Sequence, residues 1–84
     1  MKEVQFTNRA KKDLKKLNPQ TQKRILSALK DLIHGSKETI PLTGDLIGYL
    51  KLRVGDHRII LSQNHQQYIV QLIRHRSEVY KTNL

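Results

Sequence analysis

The segment Leu72-Ile73-Arg74-His75-Arg76-Ser77-Glu78-Val79-Tyr80-Lys81 runs from an apolar strand into two arginines around a histidine, then into a serine and a tyrosine. Arginine holds phosphate oxygens through a planar fork of N–H groups. Histidine moves a proton near neutral pH, and tyrosine stacks on a base or donates a hydrogen bond. Gathered at one strand end, these residues suit a phosphodiester better than a packed core. A second basic strand lies upstream. Lys51 and Arg53 alternate with Leu50, Leu52 and Val54, and Arg58 follows across Gly55-Asp56. If these strands pair in sequence order, Lys51, Arg53, Arg58, Arg74 and Arg76 converge on one sheet end. Like-charge repulsion makes such convergence costly, so it is usually retained to hold an anion. The alternative is a solvated strand face, or edge cations that discourage aggregation.

Other chemistries find less support in the residues. The four histidines show no paired spacing and no carboxylate cluster, so no metal site is expected. His34 ends a helix and His57 and His65 stand in or beside turns, which leaves His75 as the histidine among the cations. Positive neighbours disfavour its protonated form, so it can serve as an acid or a base, or be an exposed structural residue. No two carboxylates are placed for acid–base work, and there is no Gly-rich phosphate loop. RNA offers another route, because its own 2′-hydroxyl can attack the adjacent phosphate. The protein then supplies a base, an acid, and cations for the charge developing at phosphorus. DNA lacks that hydroxyl, so this route selects RNA.

Several elements must position these groups. Glu3-Val4-Gln5-Phe6-Thr7 alternates as a short strand. Thr7 or Asn8 can cap a helix over 8–17 with Ala10, Leu14 and Leu17 on its buried stripe, and Arg9, Lys11, Lys12, Lys15 and Lys16 elsewhere. Asn18-Pro19 restarts a helix over 19–34, with Ile25, Leu26, Leu29, Leu32 and Ile33 apolar and Gly35 as the stop. The two helices should form a hairpin. Residues 36–47 read as a loop. Tyr49 to Val54, His57 to Gln63 and Tyr68 to Ile73 then read as three antiparallel strands joined by turns at Gly55-Asp56 and Asn64-His65-Gln66. The later two strands are apolar on both faces in the middle, which leaves the faces of Arg58 and Arg74 open. The expected class is α+β, in the order β-α-α-β-β-β with a short C-terminal helix, as one domain over 1–84.

Composition narrows the partners. The 84 residues carry a formal charge of +9 and a pI near 10.2, which attracts nucleic acid or an acidic protein. One Phe, three Tyr and no Trp leave a core of Leu, Ile and Val and argue against a broad stacking platform for single strands. Cysteine is absent, and no signal-peptide core or spanning segment is evident. A cytoplasmic domain is expected.

The chain resembles the RelE/ParE superfamily of toxins from toxin–antitoxin modules over nearly its full length. The resemblance is carried by Phe6-Thr7 with the Lys-rich helix, by the hairpin Tyr49-Leu50-Lys51-Leu52-Arg53-Val54-Gly55-Asp56-His57-Arg58, and by Arg74-His75-Arg76-Ser77-Glu78-Val79-Tyr80. It implies a microbial RNase fold in which a helical hairpin packs on an antiparallel sheet. It also implies a ribosome-dependent, metal-independent mRNA endoribonuclease without a cofactor. Lys51 resembles the family's phosphate-stabilising lysine, Arg58 its transition-state arginine, Arg74 the arginine assigned as general acid, and Tyr80 the tyrosine that orients the substrate. Tyr49, Arg53, His75 and Arg76 become supporting RNA-binding residues. Tyr49 stands where the best-studied RelE branch has a second lysine, the proposed general base, so the base stays open among Tyr49, Lys51 and His75. The implied partners are a RelB-like antitoxin, the ribosome and mRNA, with no membrane. The implied assembly is a toxin–antitoxin hetero-oligomer able to bind operator DNA through the antitoxin. ParE-like members, which inhibit DNA gyrase and cut nothing, share the fold but generally lack the Lys51, Arg58 and Tyr80 type of constellation.

Overall fold

Thr7 marks the point where the first strand becomes the first helix. In the structure, a computed structural model that describes residues 2–78, β1 (Glu3–Phe6) ends at this residue. Its side chain then accepts from the Ala10 N–H at 3.1 Å. That bond satisfies one of the orphan donors of α1 (Asn8–Lys15), so Thr7 rather than Asn8 is the cap. α2 (Pro19–Ile33) begins as the sequence predicts, with Asn18 Oδ1 accepting from the Thr21 N–H at 2.8 Å and Pro19 in the first turn. Gly35, at φ +81°, carries the chain out of the helix.

Both helices pack on one face of a five-stranded sheet. β2 (Ile40–Pro41), β3 (Leu50–Val54), β4 (His57–Gln63) and β5 (Gln67–His75) complete it in the order β1-β5-β4-β3-β2. The meander from β3 to β5 is antiparallel, as expected. β1 joins β5 in parallel, from Glu3 beside Gln67 to Phe6 beside Val70, so the sheet is mostly rather than wholly antiparallel. The α+β class stands.

Ile25, Ala28, Leu29 and Leu32 of α2 meet Leu52, Val54, Ile59, Leu61, Val70 and Ile73 in the main core, with Ala10 from α1. Leu14 and Leu17 are half-buried against it. Leu26, expected on the buried stripe, is 47% exposed. It lies about 100° round the helix from Ile25, on the side away from the stripe.

The opposite face carries a smaller cluster of Leu42, Ile60 and Leu72, with Leu46 and Tyr49 packed against it. Residues 36–47 are therefore not a plain loop. They contain β2 and a 3₁₀ turn over Gly44–Leu46, and they lay Leu42 and Leu46 over the second face. Apolar residues on both faces of β4 and β5 demand such a cover. The expected C-terminal helix falls largely on residues outside the described range; Arg76–Glu78 form a turn.

Candidate functional site

Gly55 and Asp56 connect β3 to β4 through a two-residue loop closed by the pair Val54 and His57. Gly55 has φ +59°, and among the described residues no non-glycine has positive φ. This is the pattern of a type II′ turn, which matches the twist of the strands it joins. The tight turn sets the register that follows: Arg53 stands opposite Arg58, and Arg58 opposite Arg74. Three arginines thus form one row across three strands, and like charges directly opposite each other repel.

The face of that row follows from alternation. Leu52 and Val54, and then Ile59 and Ile73, point into the helix-covered core, so Arg53, Arg58 and Arg74 begin on the other face. For Arg74 this depends on a β-bulge. Ile60 pairs with Leu72 and Leu61 with Val70, which leaves Gln71 as the extra residue. Val70 and Ile73 then share the helix face, and Leu72 and Arg74 are turned to the opposite one. Gln71 Nε2 donates to Ser62 Oγ at 2.9 Å, tying the bulge to β4. Lys51 lies two residues before Arg53 on the same face, half-buried and opposite Ile60.

The arginines are not equivalent. Arg58 is buried, at 9% exposure, and its Nη1 donates to the Gly55 and His57 carbonyls at 2.9 and 3.0 Å. Arg53 is exposed. The Arg74 guanidinium passes the edge of β5 to reach α1, where Nη1 donates to Asp13 Oδ2 at 2.5 Å and to the Ile73 carbonyl at 2.9 Å. Arg76 lies at the turn: its N–H donates to the Asp56 carbonyl at 2.7 Å, and its Nε stands 4.0 Å from Asp56 Oδ1 in an exposed pair worth little.

The next row of the sheet joins Val54, His57 and His75. The two imidazoles meet edge to face at 5.8 Å between centroids. Burial lowers the His57 pKa below its ordinary value; His75, Arg24 and Arg58 push in the same direction, and Asp56 opposes them. His75 Nδ1 lies 2.9 Å from Ser77 Oγ and accepts from the Ser77 N–H at 3.3 Å. Together with Arg74, Asp13 and Lys16, the two histidines line a cleft of about 330 Å³ where the C-terminal part of α1 meets the ends of β4 and β5.

The structure brings Lys51, Arg53 and Arg58 to one face of the sheet, near one end; Arg74 starts on that face in the same row, but its guanidinium goes round the β5 edge to Asp13 on α1. His75 and Arg76 stand at the same end, on the His57 row and in the following turn. Tyr49 packs on the small apolar cluster. Tyr80 lies outside the described residues. Two residues went unnoticed in the sequence. His57, which the sequence places in or beside a turn, is the first residue of β4 and faces His75. Asp13 follows Ala10 by three residues and precedes Leu17 by four, so it belongs to the buried stripe of α1. An acid at a stripe position among lysines was the available signal. Among the described residues no three His, Cys, Asp or Glu stand together as a metal cluster. A separate groove of about 390 Å³, between α2 and the β3–β4 turn, includes Lys23, Arg24, Asp31 and Gly55 in its lining.

The chain has recognisable relatives. Toxin RelG of Mycobacterium tuberculosis is 31% identical over 86 residues, spanning 93% of this chain and 94% of that protein. The toxin–antitoxin complex RelBE2 of the same organism superposes with a TM-score of 0.68 at 28% identity, covering 89% of this chain and 98% of the other. The RelB–RelE antitoxin–toxin complex of Methanococcus jannaschii shares the fold, with a TM-score of 0.72 at 24% identity over 93% and 96% of the two chains. The sequence model of the family described as "ParE toxin of type II toxin-antitoxin system, parDE" matches residues 4–80. On that match and the near full-length likeness to a named toxin, this chain belongs to the ParE toxin family of type II toxin–antitoxin systems, within the RelE/ParE superfamily.

Proposed function

We propose that this toxin is a ribosome-dependent mRNA endoribonuclease. The observation that carries the reading is the arginine row, Arg53, Arg58 and Arg74, with Lys51 on the same sheet face. In the reaction the 2′-hydroxyl of one nucleotide attacks the adjacent phosphorus. Its proton passes to a base, the bond to the 5′-oxygen of the next nucleotide breaks, and that oxygen takes up a proton. The products are a 2′,3′-cyclic phosphate and a 5′-hydroxyl. Lys51 and Arg58 offset the charge that grows on the phosphoryl oxygens, Arg74 donates to the leaving oxygen, and Tyr80 orients the substrate. Arg53 and Arg76 support binding of the RNA backbone. His75, Tyr49 and Lys51 are the candidates for the base. His57 joins them, because burial and its neighbours keep its imidazole neutral to lower pH.

A cognate antitoxin is the expected protein partner. A +9 toxin favours an acidic antitoxin segment, with charge steering the encounter and apolar anchors supplying most of the affinity. Both superposed complexes named above pair a toxin with an antitoxin.

Inducing the chain alone should arrest growth through loss of translation, with new mRNA 5′ ends inside reading frames. The matched family description, a ParE toxin, favours a second reading as an inhibitor of DNA gyrase. Arrest with intact mRNA and stalled replication would transfer the case to that reading.

A further inference from the structure

A single carboxylate oxygen meets two donors at the edge of β5. β1 pairs with β5 only from Gln67 to Val70. Beyond that point α1 takes over the exposed edge: Thr7 Oγ donates to the Gln71 carbonyl at 3.0 Å, and Asp13 Oδ2 accepts from the Ile73 N–H at 3.0 Å. The same Oδ2 receives the Arg74 guanidinium, in a pair whose side chains are 12% and 21% exposed for Asp13 and Arg74. Arg74 Nη1 has two hydrogens, and its bonds to Asp13 and to the Ile73 carbonyl use both. Nε and Nη2 form the other edge of the fork, the one that fits two phosphate oxygens.

We propose that Asp13 is the positioning residue of Arg74, an inference that rests on the reading of Arg74 as acting on the phosphodiester. Asp13 is anchored by the Ile73 N–H next to Arg74, so strand edge and guanidinium are located by one group. Its negative charge also offsets the repulsion between Arg74 and Arg58, its direct cross-strand neighbour. The guanidinium is thereby set at the β5 edge before substrate arrives, which saves the cost of ordering a long side chain during the reaction.

The test compares the full chain with Asp13→Asn and Asp13→Glu. Asparagine keeps an oxygen for the Ile73 N–H but removes the charge that holds Arg74. In single-turnover cleavage on programmed ribosomes, Asp13→Asn should lower the maximal rate by up to about 10²-fold, while half-saturation stays nearly unchanged. Asp13→Glu should restore part of the rate. In the free protein, ¹⁵N relaxation of the Arg74 Nε–H should report an ordered guanidinium that becomes mobile in Asp13→Asn. A folded Asp13→Asn variant that cleaves like wild type, or faster, would overturn the positioning role. If the wild-type chain cleaves nothing, the RNase reading falls, and the Arg74 relaxation decides the inference. Equal Arg74 order in both proteins would then sink it.

Discussion

Arg58 joins stability to the proposed chemistry in one side chain. Its guanidinium closes the β3–β4 turn by binding two carbonyls, and it is buried. Arg58→Ala should therefore lower the unfolding free energy, by about 1.5–3 kcal/mol for hydrogen bonds made by a charged donor. It should also cut the single-turnover rate by about 10²–10³, the usual loss for one preorganised donor. Urea unfolding and cleavage measured on the same preparation separate the two effects. A stable, fully active Arg58→Ala would remove this residue from both roles. His57 carries a different signature. Its folded pKa lies below the ordinary 6.5, with burial as the first cause and His75 as the second. Between the lowered value and 6.5 the unfolded chain binds more protons than the folded one, so stability rises with pH across that window. The contribution is complete above the unfolded value and is lost as pH falls through the folded one. His57→Gln should flatten the dependence of the melting temperature between about pH 5 and 7 relative to wild type. An unchanged slope would mean that His57 is not the group responsible.

The β3–β4 hairpin and the β5 bulge decide, at the scale of elements, which cations share a face. Gly55 sits in the left-handed region at φ +59°, and a Cβ there would stand 3.0 Å from Arg24 Nη2. The end of an arginine can move aside, so the main penalty is conformational. Gly55→Ala should cost roughly 1–2 kcal/mol, read from thermal melts. The bulge permits a sharper experiment. Deleting Gln71 removes the extra residue, so Leu72, Ile73 and Arg74 keep their partners on β4 and their faces in a regular ladder. The deletion variant should keep cooperative unfolding, because Ile73 stays in the main core and Arg74 starts on the other face. Loss of cooperative unfolding on this deletion would show that Gln71 is not the residue that the bulge absorbs.

Charge dominates at the scale of the whole molecule. With +9 over 84 residues, the proposed reaction spreads ground-state attraction to RNA over many cations and leaves the transition state to the few in the arginine row. Lys11 separates the two contributions. It is exposed on α1, about 200° round the helix from Asp13. Lys11→Ala should leave the maximal cleavage rate near wild type and reduce the log–log salt slope of ribosome binding by at most about one. Titrations at several salt concentrations, paired with single-turnover rates, check both parts. A large fall in rate would place Lys11 nearer the chemistry than the fold does.

Several features were decided within a few residues and so were legible in the sequence. Asn18-Pro19 begins α2 because a side-chain oxygen and a fixed φ act locally. Gly55-Asp56 turns the hairpin because only the glycine needs a positive φ. The strict alternation of Leu50, Leu52 and Val54 with Lys51 and Arg53 assigns their faces without reference to the rest of the chain. Other features rest on partners distant in sequence. β1 lies parallel to β5 because both helices intervene between it and the meander. Residues 36–47 fold over the second face because Ile60 and Leu72 need a cover. The row from Arg53 to Arg74 exists because Gln71 bulges, and no local pattern in Tyr68 to Ile73 marks which residue is the extra one. Asp13 reaches Arg74 across 61 residues, a distance over which periodicity and propensity say nothing. Helix caps, turns and strand faces are set by short-range sterics and hydrogen bonds, whereas strand partners, bulges and ion pairs are chosen by the packing of the whole chain.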